Sequence, residues 1–234
     1  MDGETAADFE TELLRLYGRI NNRIVHRLAQ FKNLWKRGSE EDLLCELLFC
    51  LLTPAARAHS AWDALQNLKT KGLILSTETA VSTPSVKDSG FRSLRIADEL
   101  RIVRFKNNKA RNVMEAEQYF TCEGSVSVRS RLSCFQSTLE LREWLAATIR
   151  GMGYKEASHF LRNIGRGDDI AILDRHILRC LKRLGIIDTV PEGLTEKRYI
   201  HTEQRMRNLA LRLGMPLSHL DILFWYHETG EIFK

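Results

Sequence analysis

Residues 43–52 read Leu-Leu-Cys-Glu-Leu-Leu-Phe-Cys-Leu-Leu, which as a helix is apolar on nearly every side. A helix without a polar face has to be surrounded by other elements, so this run predicts the centre of a helical bundle. Ser39 and Asp42 ahead of it, after the break at Gly38, resemble a capping box with Asp in place of Glu. Thr53-Pro54 ends it. Upstream, Leu13, Leu16, Tyr17, Ile20, Ile24, Leu28 and Phe31 recur at three and four, which predicts one long amphipathic helix over 9–31. Further helices are expected over 55–68, 92–100, 104–120, 139–148, 154–163, 174–184, 195–213 and 216–226. Gly165, Gly185 and Gly214 close three of these. Only four prolines interrupt the chain, and the reading is all-α. The Ser/Thr/Lys-rich stretch 70–90 reads as loops and half-turns, and 124–131 as a polar, basic connector.

At 234 residues the chain suffices for one large helical domain or two small ones. No stretch approaches the roughly 18 uninterrupted apolar residues of a membrane span. The acidic start, Met1-Asp2-Gly3-Glu4, lacks the order of a secretory signal. Both points favour the cytoplasm. A net charge of +5 fits a polyanionic partner. Cys45, Cys50, Cys122, Cys134 and Cys180 are scattered, odd in number and without a CxxC pair. They read as reduced thiols, and their spacing speaks against a zinc knuckle or an iron–sulfur loop. No phosphate-binding loop of the G-x-x-x-x-G-K-[ST] or G-x-G-x-x-G kind is present.

The stretch with chemistry in it is 149–158, Ile-Arg-Gly-Met-Gly-Tyr-Lys-Glu-Ala-Ser, followed by Leu-Asp-Arg-His at 173–176. Gly151 and Gly153 between two helices supply backbone freedom and bare N–H groups at a helix start, which can touch a phosphate. On the glycines alone, an ordinary helix–helix turn is the plainer reading. Lys155 adds to it, since a lysine in the first turn opposes the helix dipole and an amine held there can act as a nucleophile. Asp174 follows the apolar triplet Ala171-Ile172-Leu173. It is either a simple N-cap or a carboxylate placed to stabilise developing positive charge.

These residues resemble the helix–hairpin–helix DNA glycosylase superfamily. The likeness runs through Gly151–Lys155, the Leu173–His176 segment, the buried helix 47–53 and the Asn108-Lys109-Ala110-Arg111-Asn112-Val113 helix start, and so covers residues 40–234. Within it, 153–163 and the ending on Lys234 are most similar to the second family of archaeal and bacterial 8-oxoguanine DNA glycosylase/AP lyases. Pro54 is a departure, since many members have a small or polar residue there, and it bears on contacts to the opposite base.

The resemblance implies two helical domains, 36–167 ending in the hairpin, and 1–35 with 168–234, with the active site in the cleft between them. It implies a bifunctional enzyme that flips 8-oxoguanine out of duplex DNA, excises it through a Lys155 Schiff base and nicks the abasic strand by β-elimination. Asp174 is the second catalytic residue. Trp225, Phe105 and the Lys234 carboxylate are implied to hold the base, and Gly151, Gly153, Arg175, His176 and Lys109 the DNA backbone. Arg111, Arg150 and Arg162 are further basic-face candidates. No cofactor is implied beyond a candidate structural Na+ or K+ on the carbonyls of Ala147, Ile149 and Met152. The partner is double-stranded DNA carrying 8-oxoguanine or an abasic site, with no membrane, and the protein is expected to be a monomer. The alternatives are a superfamily glycosylase for oxidised pyrimidines or mismatched bases and a non-catalytic DNA-binding module. Lys155 and Asp174 together disfavour the latter, since binding alone needs neither.

Overall fold

The computed structural model describes residues 5–74, 86–122 and 124–234. Among them the chain is all-α apart from one two-residue hairpin ladder. The helices are α1 (Ala6–Arg37), α2 (Glu40–Leu52), α3 (Ala58–Thr70), α4 (Val86–Glu99), α5 (Lys106–Phe120), α6 (Val128–Leu132) and α7 (Thr138–Thr148). After the hairpin come α8 (Tyr154–Asn163), α9 (Arg175–Arg183), α10 (Glu196–Arg212) and α11 (Leu217–Thr229). No helix among the described residues is long and apolar enough to cross a membrane.

The chain divides into two units, Asn33–Phe160 and Met1–Lys32 with Leu161–Lys234. The sequence placed the boundaries at 35/36 and 167/168, whereas the second one falls inside α8. The reason is local. Leu161, Arg162, Asn163 and Ile164 are buried, and the Arg162 guanidinium lies 5.5 Å from the Phe31 ring centre. At Gly165 a Cβ would come within 2.5 Å of the Lys32 backbone, and φ is +72°, so glycine is required twice over. The end of α8 therefore belongs with α1.

In the 33–160 unit α2 is the centre. Leu43, Leu44, Leu47, Leu48, Phe49, Cys50 and Leu52 are wholly buried, and α3, α5 and α6 pack around it. Its capping box is formed as the sequence suggested, with Asp42 N–H donating to Ser39 Oγ and Ser39 N–H to the Asp42 carboxylate. The stretch 124–131 is not a plain connector. Thr121–Cys122 pairs antiparallel with Ser125–Val126, and α6 follows. Arg129 opens no basic surface there; it is engaged by Glu40 and by the Trp35 and Gly38 carbonyls. The loop expected over 70–90 ends early, because α4 begins at Val86; residues 75–85 lie outside the described residues.

In the other unit the stripe Phe9, Leu13, Leu16, Ile20, Ile24, Leu28 and Phe31 of α1 is buried as its periodicity demands. Helix α11 packs against α9 and α10. It carries no clear polar face because Leu217, Leu220, Ile222, Leu223 and Phe224 are all buried.

Candidate active site

The hairpin between α7 and α8 is built in the 33–160 unit. Helix α7 leaves its helical conformation at Ile149, and Met152 N–H donates to the Ile149 carbonyl at 3.1 Å, closing the turn. Gly151 has φ +81°, and a Cβ on it would sit 2.0 Å from the Asn112 amide nitrogen of α5. No side chain fits there in either respect. Gly153 differs from the expectation: its φ is not positive, and a Cβ would meet only Glu156 Oε2, at 3.2 Å. Its N–H donates to that same Glu156 carboxylate at 3.2 Å, which caps the start of α8. Both glycines are exposed, while Met152 is buried as the anchor.

Lys155, second in α8, has about a quarter of its side chain exposed. Its ammonium lies 3.2 Å from Glu156 Oε1 and donates to Thr53 Oγ1 at 3.4 Å. Thr53 caps the end of α2, so the buried central helix positions the amine's partner. Beside it lies a group that sequence reasoning misassigned. Lys109 is only 3% exposed. Its Nζ donates to the Leu52 carbonyl at 2.7 Å and to the Pro54 carbonyl at 2.8 Å, satisfying the carbonyl end of α2. Burial first, and then the charge of Lys155, push its pKa down to about 8. A lysine so enclosed is not a phosphate contact, and the expectation of a DNA-backbone role is corrected. The surrounding backbone carries both non-glycine left-handed residues among the described ones, Ala55 (φ 52°) after Pro54 and Phe105 (φ 60°) ahead of α5. Phe105 is 65% exposed, unusual for an aromatic ring and consistent with a surface that a base could cover.

Asp174 lies in the other unit. It is the N-cap of α9, with Oδ1 accepting both His176 N–H and Ile177 N–H at 2.9 Å. The plain capping reading is therefore present as such, and it orients the carboxylate. The loop leading to it is held by side chains that periodicity reads as ordinary helix positions. Asp221 Oδ1 accepts Ile172 N–H at 2.8 Å, and Glu203 Oε1 accepts Ala171 N–H at 2.9 Å. The Tyr199 hydroxyl accepts from Leu173 N–H and donates to the Ala171 carbonyl. Arg162 bonds the other Asp221 oxygen at 3.0 Å. All four side chains are buried. Burial pushes the Asp221 pKa up to about 6 against the opposing pull of Arg162. Arg162 is thus a core ion pair and not a basic-face residue. The available signal was an acid within an apolar helical run, Leu220-Asp221-Ile222. An acid there needs a buried partner.

Of the other candidates, Arg175 is exposed at the start of α9, whereas His176 is half-buried, its ring edge-on to Trp225 at 5.0 Å. Trp225 is half-buried on α11, and its indole nitrogen is buried without a hydrogen-bond partner. Lys234 is half-buried. Arg111 is exposed, and Arg150 is paired with Glu115 at 2.6 Å. Lys155, Gly151, Gly153, Phe105 and the carbonyls of Ala147, Ile149 and Met152 all belong to the 33–160 unit. Asp174, Arg175, His176, Trp225 and Lys234 belong to the other.

Against known proteins, the sequence matches the family model described as 8-oxoguanine DNA glycosylase over residues 24–215. It is 39% identical to a Fusobacterium nucleatum 8-oxoguanine DNA glycosylase/AP lyase, over 97% of this chain and 98% of that one. It resembles the crystal structure of the Thermotoga maritima 8-oxoguanine DNA glycosylase, with a TM-score of 0.80 at 32% identity, covering 98% of this chain and all of that one. It also resembles the Methanocaldococcus jannaschii 8-oxoguanine glycosylase/lyase solved with a 15mer DNA containing 8-oxoguanine. There the TM-score is 0.75 at 29% identity, over 95% of this chain and 100% of that one.

Proposed function

This chain belongs to the 8-oxoguanine DNA glycosylase family, and on that premise we propose that it removes 8-oxoguanine from duplex DNA and cuts the strand at the abasic site. The observation that carries the reading is the amine of Lys155. It sits partly exposed at the start of a helix, behind a bare glycine hairpin, with a hydroxyl and a second lysine beside it. A DNA-binding module needs no such group.

In the proposed reaction the flipped nucleotide offers C1′ to Lys155 Nζ, acting as the free amine. The N–C1′ bond forms as the glycosidic bond breaks, and the base leaves with that electron pair and takes up a proton. The sugar ring opens to a Schiff base with the lysine. Loss of a C2′ proton then expels the 3′ phosphate, nicking the strand 3′ to the lesion, and water releases the lysine. Asp174, its Oδ1 occupied by the α9 cap, stabilises the positive charge on the sugar through Oδ2. Phe105 and Trp225 form the apolar surfaces for the base, and Lys234 contacts its polar edge. The Gly151 N–H, with Arg175 and His176, meets the backbone, and the Gly153 N–H joins it by exchanging the Glu156 carboxylate for a phosphate.

No cofactor is needed for these steps. A monovalent cation on the carbonyls of Ala147, Ile149 and Met152 fits the donor set, since the Ile149 oxygen that accepts Met152 N–H keeps a second lone pair. When bound it would supply positive charge toward a phosphate. The partner is duplex DNA bearing 8-oxoguanine or an abasic site, met by a monomer in the cytoplasm.

Borohydride trapping on an 8-oxoguanine duplex tests this. The wild-type chain should become covalently linked to the DNA, and Lys155→Gln should not. Full trapping by the variant would remove Lys155 as the nucleophile. A wild-type chain that traps only on oxidised pyrimidines would move the substrate to another lesion.

A further inference from the structure

One cluster of ligating side chains outside the residues used above, Cys180, His227 and Glu228, lies beside His176 in the unit that holds α9 and α11. His176 and Cys180 are one helical turn apart on α9 and so share a face. His227 and Glu228 are consecutive near the end of α11, which packs on α9. Cys180 is fully buried, and its thiol finds only a distant acceptor, the Phe224 carbonyl at 4.0 Å. One ligand atom each from Cys180, His227 and Glu228 lie within 4.8 Å of one another. Ligands around a tetrahedral zinc ion sit about 3.3–3.8 Å apart, given bonds of roughly 2.0–2.3 Å, so side-chain adjustments of about one ångström would close the set.

The histidine is already set for coordination. His227 Nε2 lies 3.3 Å from Glu12 Oε1 of α1, and the tautomer that donates its N–H there presents Nδ1 with a lone pair. That Nδ1 is buried and makes no hydrogen bond, and its nearest acid is Glu228 Oε1 at 3.7 Å. On the other side, His176 Nδ1, also buried without a hydrogen bond, lies 3.5 Å from Glu228 Oε2. Two imidazole nitrogens facing one carboxylate, with a buried thiol behind, form a mixed nitrogen, sulfur and oxygen donor set of the kind that favours a borderline-soft divalent ion over magnesium or calcium. About a third of the His176 side chain is exposed, which leaves a way in.

We propose that Cys180, His227 and Glu228 bind one zinc-class divalent cation, with water in the fourth position and His176 flanking it. Binding takes the thiol proton off Cys180 into solvent, and the thiolate and carboxylate charges balance the ion. The site joins α9 to α11. The plainer state, Glu228 serving only as an ion-pair partner for Arg179 at 3.7 Å, would bind no metal.

Cobalt is the probe. The full-length, chelator-treated chain is titrated with Co2+, and the sulfur-to-cobalt charge-transfer absorption reports thiolate coordination. The expected result is one equivalent bound, displaced by Zn2+. The band should vanish in Cys180→Ala, and affinity should fall at least 10-fold in His227→Gln and in Glu228→Gln. Cys122→Ser and Cys134→Ser, at exposed thiols, should keep the band. Zn2+ at 100 times the wild-type Kd should raise the wild-type melting temperature by about 5–10 °C and that of His227→Gln by about half as much or less. Circular dichroism of the metal-free variants separates lost binding from lost folding. Should Cys180→Ala not fold, the two α11 variants decide. No band in the wild-type chain, a band that survives Cys180→Ala, or undiminished affinity in both α11 variants would overturn the site.

Discussion

Replacing Lys109 by methionine tests the electrostatic core of the hairpin unit. The lysine is enclosed, donates to the Leu52 and Pro54 carbonyls, and has its pKa pushed down to about 8 from an ordinary 10.5. In the unfolded chain it titrates near its ordinary value, so between those two pH values the unfolded state holds a proton that the folded state has released. Stability rises with pH wherever the unfolded state binds more protons. Below about pH 8 the charged, buried ammonium costs the folded state its full penalty; that penalty is relieved as pH climbs toward 10.5. At about 1.4 kcal/mol per pH unit, the relief between pH 7.5 and 10 comes to roughly 2–3 kcal/mol. Methionine has similar length and no titration. The stability of the wild type minus that of Lys109→Met should therefore grow by roughly 2–3 kcal/mol over that interval. Urea denaturation of both proteins at matched ionic strength measures it, and subtraction removes every other titrating group. A difference that stays flat to within about 0.5 kcal/mol would show that Lys109 is not held as a buried charge.

Other outcomes are as specific. Asp174→Asn keeps an N-cap acceptor, so thermal stability should change by less than about 1 kcal/mol while single-turnover base release slows by at least about 100-fold; unchanged turnover would leave the carboxylate as a cap only. Arg162→Met strands the Asp221 carboxylate in the core and should cost about 3–5 kcal/mol at pH 7.5 by chemical denaturation. Because burial raises the Asp221 pKa and Arg162 holds it down to about 6, removal of Arg162 raises that pKa further, so the loss should shrink as pH falls toward 6 and level off below it; a loss that grows instead would contradict the pairing. Gly151→Ala should abolish duplex binding or destabilise the protein, since Cβ would collide with Asn112 and meet a positive φ. Normal binding and stability would mean that the hairpin can relax.

Helix positions were legible because burial and periodicity agree along this chain. Residues 43–52 could only be a surrounded helix, and the stripe of α1 runs as spaced. The ladder at Thr121–Val126 was not legible, being two residues per strand and lacking any alternating run. The hairpin was legible as a glycine turn between two helices. A lysine after Gly-x-Gly is visible as a string, but the burial of Lys109 is not, because a Lys at a helix start looks the same whether it faces water or the carbonyl end of another helix. Likewise Glu203, Asp221 and Tyr199 look like ordinary helix residues until the loop they hold is known. Their partners are backbone N–H groups, which leave no mark in a sequence.

The suspension of residues 171–173 from those three side chains has a genetic consequence. Asp174 inherits its position from α10 and α11, tens of residues downstream. Selection for variants that still hold damaged DNA but no longer cut it should therefore return changes at Tyr199, Glu203 and Asp221 beside those at Lys155 and Asp174. On a linear map Tyr199, Glu203 and Asp221 would look like a second active region, though the partners they hold are backbone N–H groups of residues 171–173.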